Sequence, residues 1–301
     1  MSRRKQYRAL IEQRAGHILP GVYDALSARI AEDQGYGMIG GGGFATIGSL
    51  LGGPDIGQSN MRDYAEHYGR ICAAVNVPVS VDADTGFGDV HNVIEMVRAF
   101  EAAGVSGIMI SDQTFPNRCG YLPGKAVVPI EEMLAKLKAA LAARRDPDLV
   151  IIARTDVYAG HGLEEALYRC RLFMEAGADM AKPQGVDRPG EIRRVMAEVP
   201  GPFAATLSQA ARTRFTDISD LRALGVATIS LPSIALFAAA RGVRDVLERL
   251  AQAQSVTAIE ADVIGLDEYN HIVGLERRLA EEAAWRDEAR RMLNKHPATA
   301  Q

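Results

Sequence analysis

The sequence holds only three cysteines, Cys72, Cys119 and Cys170. Their number is odd and none stand in CxxC spacing, so neither a disulfide framework nor a zinc site is implied. No stretch approaches the roughly 18 uninterrupted apolar residues of a membrane-spanning helix. Positive charge is not in excess either. Lys plus Arg total 34 against 38 Asp plus Glu, for a net charge of −4. A nucleic-acid partner needs a basic face that displaces counterions, so that class is disfavoured. The opening Met1-Ser-Arg-Arg-Lys5 is basic, but Tyr7-Arg-Ala-Leu-Ile-Glu-Gln-Arg14 follows where a secretory signal has its apolar segment. There is no low-complexity linker. These absences point to a soluble protein of a reducing compartment, the cytoplasm.

What is present is ordinary globular composition, with 48% hydrophobic and 24% charged residues. Short apolar runs alternate about eight times with longer amphipathic stretches. Expected strands are His17–Val22, Gly37–Gly41, Pro78–Ala83, Gly107–Asp112, Leu149–Thr155, Met180–Pro183, Phe203–Leu207 and Ala227–Leu231. Expected helices between them include Asn92–Ala103, Glu131–Ala143, Leu163–Ala176, Gly190–Glu198 and Ile218–Leu224. Val93, Val97 and Phe100 form one apolar stripe at helical spacing, and Gly104, Gly177 and Gly225 mark helix ends. Nearly continuous apolar strands are those of parallel sheets buried on both faces. Eight such units favour an α/β fold of the (β/α)8 barrel type, whose usual size is roughly 250 residues. The reading is one barrel domain over residues 1–301, with an N-terminal helix over 1–14 and a helical C-terminal extension over 255–301. In that extension Val256–Asp267 carries no strand, and Glu276–Leu293 reads as a charged helix with apolar Leu279, Ala283, Ala284 and Met292.

In such a barrel the working residues lie at the C-terminal ends of strands. Asp82 and Asp84 are two apart, so on a strand both carboxylates point to one side. Like charges that close need a proton or a cation between them, and Mg²⁺ suits carboxylate oxygens. A turn in which they accept backbone N–H bonds before Gly86 and Gly88 is the alternative. Cys119 follows Arg118 on a long polar loop. A guanidinium beside a partly exposed thiol lowers its pKa and makes it a proton donor, base or nucleophile; the alternative is an inert loop cysteine. Cys72 and Cys170 lie on amphipathic helices as packing residues. Arg154 can clamp a substrate carboxylate with two parallel hydrogen bonds, or form a barrel-rim salt bridge with Asp156. The run Gly40-Gly-Gly-Gly43 can cradle an anion or make a tight turn, and is no dinucleotide fingerprint.

Taken in order, these segments resemble the isocitrate lyase and phosphoenolpyruvate mutase superfamily. The matching pieces are Leu19-Pro-Gly-Val-Tyr-Asp-Ala-Leu-Ser-Ala28, the glycine run, Gly53-Pro-Asp55, Val81-Asp-Ala-Asp-Thr-Gly-Phe-Gly88, Asp112-Gln113, Arg118-Cys-Gly120 and Ala153-Arg-Thr-Asp156. The resemblance is closest to the short branch of methylisocitrate lyase, dimethylmalate lyase and carboxyphosphonoenolpyruvate mutase. It implies a barrel whose eighth helix is exchanged between subunits of a homotetramer. It also implies Mg²⁺, or Mn²⁺, near Asp82 and Asp84 with Asp55 nearby, and catalysis by Cys119 with Arg118 on a gating loop. Gly40, Gly41, Gly42, Gly120, Tyr121, Gln184, Thr206 and Ser208 join Arg154 as the implied substrate-binding positions. The implied chemistry is cleavage of a carbon–carbon bond in a small 2-hydroxy or 2-oxo di- or tricarboxylic acid, through an enolate that Cys119 protonates. Oxaloacetate decarboxylation and P–C bond rearrangement are related chemistries of the same superfamily.

The chain departs from that pattern at several points. The lyase pattern has Ser at Gly40, Glu at Ser111, Lys at Asn117 and His at Tyr121. It has Glu at Gln184, Asn at Thr206, Glu at Gln209 and, in the methylisocitrate branch, Arg at Phe237. Fewer carboxylates imply weaker Mg²⁺ binding in the absence of substrate. Fewer cations leave less to pair with a tricarboxylate. The competing class is a barrel that binds a ligand without turnover.

Overall fold

The computed structural model describes residues 1–208 and 217–295. Eight parallel strands are laid down in chain order as β1 His17–Val22, β2 Ile39–Gly41, β3 Val79–Asp82, β4 Gly107–Ser111, β5 Val150–Thr155, β6 Met180–Pro183, β7 Ala204–Thr206 and β8 Thr228–Leu231. The helices are α1 Arg3–Glu12, α2 Ala25–Asp33, α3 Gly43–Leu51, α4 Met61–Ala74, α5 Val90–Ala102, α6 Ile130–Ala143, α7 Tyr158–Glu175, α8 Pro189–Glu198, α9 Ile218–Ala223, α10 Ile234–Ala253, α11 Leu266–Val273 and α12 Leu275–Lys295. The strands follow one another around the sheet in the order β6-β5-β4-β3-β2-β1-β8-β7. A lone parallel bridge from Ala181 to Phe203 joins the two ends, so the sheet is a nearly closed barrel. The expected (β/α)8 architecture holds.

Two compact units are distinguished, Met1–Ala240 and Arg241–Gln301, with α10 running across the boundary between them. In the first unit the barrel interior is filled by Leu19, Val150, Ile152, Met180 and Ala204 with Tyr7 and Ile11 of α1. Tyr7 needs room at β4. A Cβ on Gly107 would lie 2.8 Å from the Tyr7 ring, so only glycine admits the phenol there. The basic start of the chain holds α1 across the N-terminal ends of the strands. Arg4 donates to the Val105 carbonyl at 2.9 Å and pairs with Asp146 at 3.0 Å, and Arg8 reaches Asp179 at 2.9 Å.

Most expected strands begin or end a residue or two outside the observed ladders, because the flanking residues lack a partner on the neighbouring strand. Gly104, Gly177 and Gly225 take φ of +91°, +105° and +77°, the left-handed conformation expected of helix ends. The helix expected from Leu163 is preceded by one further turn, from which Gly162 separates it with φ +80° and ψ −174°.

In the second unit a 3-10 turn, Thr257–Asp262, leads to α11, and Gly274 at φ +71° turns the chain into α12. No strand occurs over 256–267, as expected. The α12 residues Leu279, Trp285, Met292 and Leu293 are all exposed. Among the described residues no helix is long and apolar enough to cross a membrane.

Candidate active site

One cavity opens at the C-terminal ends of the strands, and every site residue expected from the sequence lines it. Gly40, Gly41 and Gly42 come from the end of β2 and the entry to α3. Asp55 comes from the loop between α3 and α4, and Asp82 and Asp84 from the end of β3. Arg118, Cys119, Gly120 and Tyr121 come from the loop after β4, and Arg154 from β5. Gln184, Thr206 and Ser208 follow β6 and β7. Gln209 lies outside the described residues.

The acidic group is not placed by strand alternation. β3 stops at Asp82, and Asp84 sits in a turn at φ +47° with its N–H donating to Asp82 Oδ1 at 3.1 Å. The turn nevertheless aims both carboxylates at the same point. A Cβ on Gly43 would lie 3.0 Å from Asp84 Oδ1 and 3.4 Å from Asp82 Oδ2, so glycine keeps the space in front of them open. Asp55 is 7% exposed, and its Oδ1 has no hydrogen-bond partner among the described residues. Burial, then the negative charge of Asp82, raise Asp55 to about 6 despite Arg154. Burial, then Asp82 and Asp55, raise Asp84 to about 8. Among the described residues no three His, Cys, Asp or Glu side chains close around a common point. The expected trio is therefore no preformed cage. An open acidic corner with an orphaned carboxylate oxygen does suit a hard cation that completes its shell with waters and a ligand oxygen.

Arg154 forms the ion pair with Asp156. Its Nε and Nη2 donate to Asp156 at 2.7 and 2.9 Å, which leaves the outer N–H groups of Nη1 and Nη2, with Nη1 3.7 Å from Asp82 Oδ2. Asp156 has no side-chain exposure and also accepts from Ser111 Oγ at 3.0 Å. Burial alone would raise its carboxyl, but the Arg154 charge and hydrogen bonds outweigh this and hold it below the usual range.

The Cys119 thiol departs from expectation in the opposite direction. Burial pushes it up; a backbone N–H of Tyr121, Arg154 and Lys125 oppose this, while Asp55 adds to it. Arg118, which is exposed, is not among the main contributors to that balance. The loop is held instead through its backbone. Gln113 Nε2 donates to the Arg118 carbonyl and Gln113 Oε1 accepts from the Arg118 N–H, both at 3.1 Å. Cys119 N–H donates to the Asp55 carbonyl at 3.2 Å, tying the thiol loop to the acidic corner. Cys72 and Cys170 are buried on α4 and α7, and burial raises both, Cys72 to about 11.

The glycine run makes no tight turn; it passes from β2 directly into α3. Phe237 meets Phe44 edge-on at 5.7 Å and gives the cavity an apolar wall.

Two lysines escaped the sequence reading, Lys125 on the loop after β4 and Lys182 in the cavity wall. Lys125 donates to the Gly120 carbonyl and lies 3.7 Å from Asp156. Lys182 is an inward-facing residue of β6, 7% exposed. Burial, then the adjacent Arg154 charge, lower it to about 8 against the pull of Asp82 and Asp156. A signal existed. A lysine amid a strand expected to be buried on both faces is unusual in itself.

The phosphoenolpyruvate phosphomutase family pattern matches residues 7–251. The 2,3-dimethylmalate lyase of Eubacterium barkeri is 32% identical over 277 residues, spanning 92% of this chain and 96% of that protein. A solved oxaloacetate acetylhydrolase in complex with the inhibitor 3,3-difluorooxalacetate superposes with a TM-score of 0.89 at 29% identity, covering 94% of this chain and 97% of its own. A phosphonopyruvate hydrolase complexed with oxalate and Mg²⁺ superposes at 0.84 with 32% identity, covering 94% and 99%. Match, coverage and barrel agree that the chain belongs to the phosphoenolpyruvate phosphomutase family of enzymes.

Proposed function

We propose that this enzyme is a Mg²⁺-dependent carbon–carbon lyase, with Mn²⁺ able to substitute, acting on a small 2-hydroxy or 2-oxo di- or tricarboxylic acid. The observation that carries the reading is one cavity lined by the Asp82–Asp84 corner, the Cys119 thiol and Arg154, which buried Asp156 holds in place. Asp82 and Asp84 hold the cation with Asp55 beside them. When bound, it polarises the 2-oxygen of the acid so that an adjacent carbon–carbon bond can break.

The remaining chemistry belongs to the chain. Arg154 is fixed by Asp156, so its outer N–H groups present positive charge at one defined place. Cys119, raised by burial, keeps its proton at neutral pH. It therefore acts as the acid that protonates the enolate carbon in the cleavage direction, not as a standing thiolate. Gln113 positions its loop. Phe44 and Phe237 keep water from one side of the reacting acid. Gly120, Tyr121, Gln184, Thr206 and Ser208 complete the acid's surroundings, and Gly40, Gly41 and Gly42 leave room for it. The solved oxaloacetate acetylhydrolase supports a second reading, in which water completes the cleavage of a 2-oxo dicarboxylate.

The exposed apolar residues of α12 support assembly into a homotetramer by exchange of C-terminal helices. A panel of 2-oxo and 2-hydroxy acids, followed by NMR with and without Mg²⁺, tests the function. Metal-dependent cleavage of at least one acid is expected. Absence of turnover across the panel would refute the lyase assignment.

A further inference from the structure

Two cations face the cavity from neighbouring strands, and their surroundings differ. Arg154 and Lys182 are register partners across the β5–β6 ladder, so both project from one layer of the barrel. One side of the Arg154 guanidinium is taken by Asp156. Lys182 is buried to the same degree, yet its ammonium makes no hydrogen bond and has no carboxylate within 4.0 Å among the described residues. Other buried cations of the barrel are paired: Lys136 with Glu132 at 2.9 Å and Arg169 with Asp112 at 3.0 Å. An isolated buried charge is costly, and a protein keeps one only when something completes it.

We propose that Lys182 is a carboxylate-binding residue of the site, its ammonium pairing with a carboxylate of the bound acid inside the barrel beside Arg154. This rests on the reading of the cavity as an acid-binding site and deepens it, because it names the group that selects an anion. Arg154 already shares its charge with Asp156, and the wall formed by Phe44 and Phe237 offers no charge. The lowered basicity of Lys182 fits the absence of a partner, and a bound carboxylate would reverse it.

The test titrates oxalate calorimetrically into Mg²⁺-saturated wild type, Lys182→Met and Lys182→Arg, with melting temperatures measured before oxalate is added. Lys182→Met should bind oxalate roughly 10- to 100-fold more weakly, as for loss of a charged hydrogen bond. Lys182→Arg should recover much of that loss. Ligand-free Lys182→Met should melt higher than wild type, because an unpartnered charge has gone. A cation with only a structural role would instead lower the melting temperature and leave oxalate affinity unchanged. Binding within twofold of wild type in Lys182→Met overturns the proposal while sparing the acid-binding reading. No oxalate binding by wild type overturns both. Trapping of a Lys182 adduct by cyanoborohydride with a 2-oxo acid also overturns it, since the amine would then act as a nucleophile.

Discussion

Replacing Asp156 by Asn removes one negative charge and almost no volume, at the point where Arg154, Ser111 and Lys125 converge. In the wild type the Arg154 Nε and Nη2 hydrogen bonds to Asp156 measure 2.7 and 2.9 Å, and the carboxylate has no exposure. An amide can accept one of those bonds, but its NH₂ faces a guanidinium donor on the other side. Arg154 is then a buried charge whose nearest anion is Asp82 at 3.7 Å. Breaking a buried pair from one side costs about 3–5 kcal/mol. At roughly 2–4 °C per kcal/mol for domains of this size, the melting temperature should fall by roughly 6–20 °C. Differential scanning calorimetry of metal-saturated protein measures this. The double variant Arg154→Met with Asp156→Leu removes both charges and should lose less stability than Asp156→Asn alone. A single-variant loss below about 1 kcal/mol, or a double variant no better than the single, would show that Arg154 is not committed to Asp156. The inference about Lys182 would then lose its premise.

Asp82→Ala and Asp84→Ala should each abolish metal-dependent turnover while leaving circular dichroism unchanged; full activity of either in excess chelator contradicts the site. Folded-state values of about 8 for Asp84 and about 6 for Asp55 exceed the ordinary 3.8, so the stability these two carboxyls contribute in the metal-free protein is fully present below that value and is lost as pH rises through 6 and 8. Mg²⁺ should accordingly raise the melting temperature more at about pH 8.5 than at about pH 5, and an equal shift at both would contradict the coupling. Cys119→Ser should keep oxalate binding and lose roughly 10²–10⁴-fold in turnover. Iodoacetamide should label Cys119 before Cys72 or Cys170, faster with rising pH and more slowly with oxalate bound. Light scattering at micromolar concentration should give a tetramer mass, and a monomer would refute the exchange of C-terminal helices.

Strand and helix positions were legible because parallel strands buried on both faces leave near-continuous apolar runs, and glycines mark helix ends at Gly104, Gly177 and Gly225. The site segments were legible too, since a barrel gathers its strand ends at one face. What the side chains there do was not. Asp84 reaches Asp82 through a left-handed turn, a conformation that the spacing alone does not specify. Arg154 is paired with a residue two positions along, a contact that the sequence offered only as one of two alternatives. Arg118 precedes Cys119 in the chain, yet burial outweighs it, so chain adjacency misassigned the direction of the thiol's shift. Lys182 acquires its meaning only where β5 and β6 meet, because partnerless burial is a property of three-dimensional surroundings. Composition and periodicity determine which faces are buried. Charge balance at a site depends on distances of a few ångströms between elements far apart in sequence, and only the tertiary structure decides those.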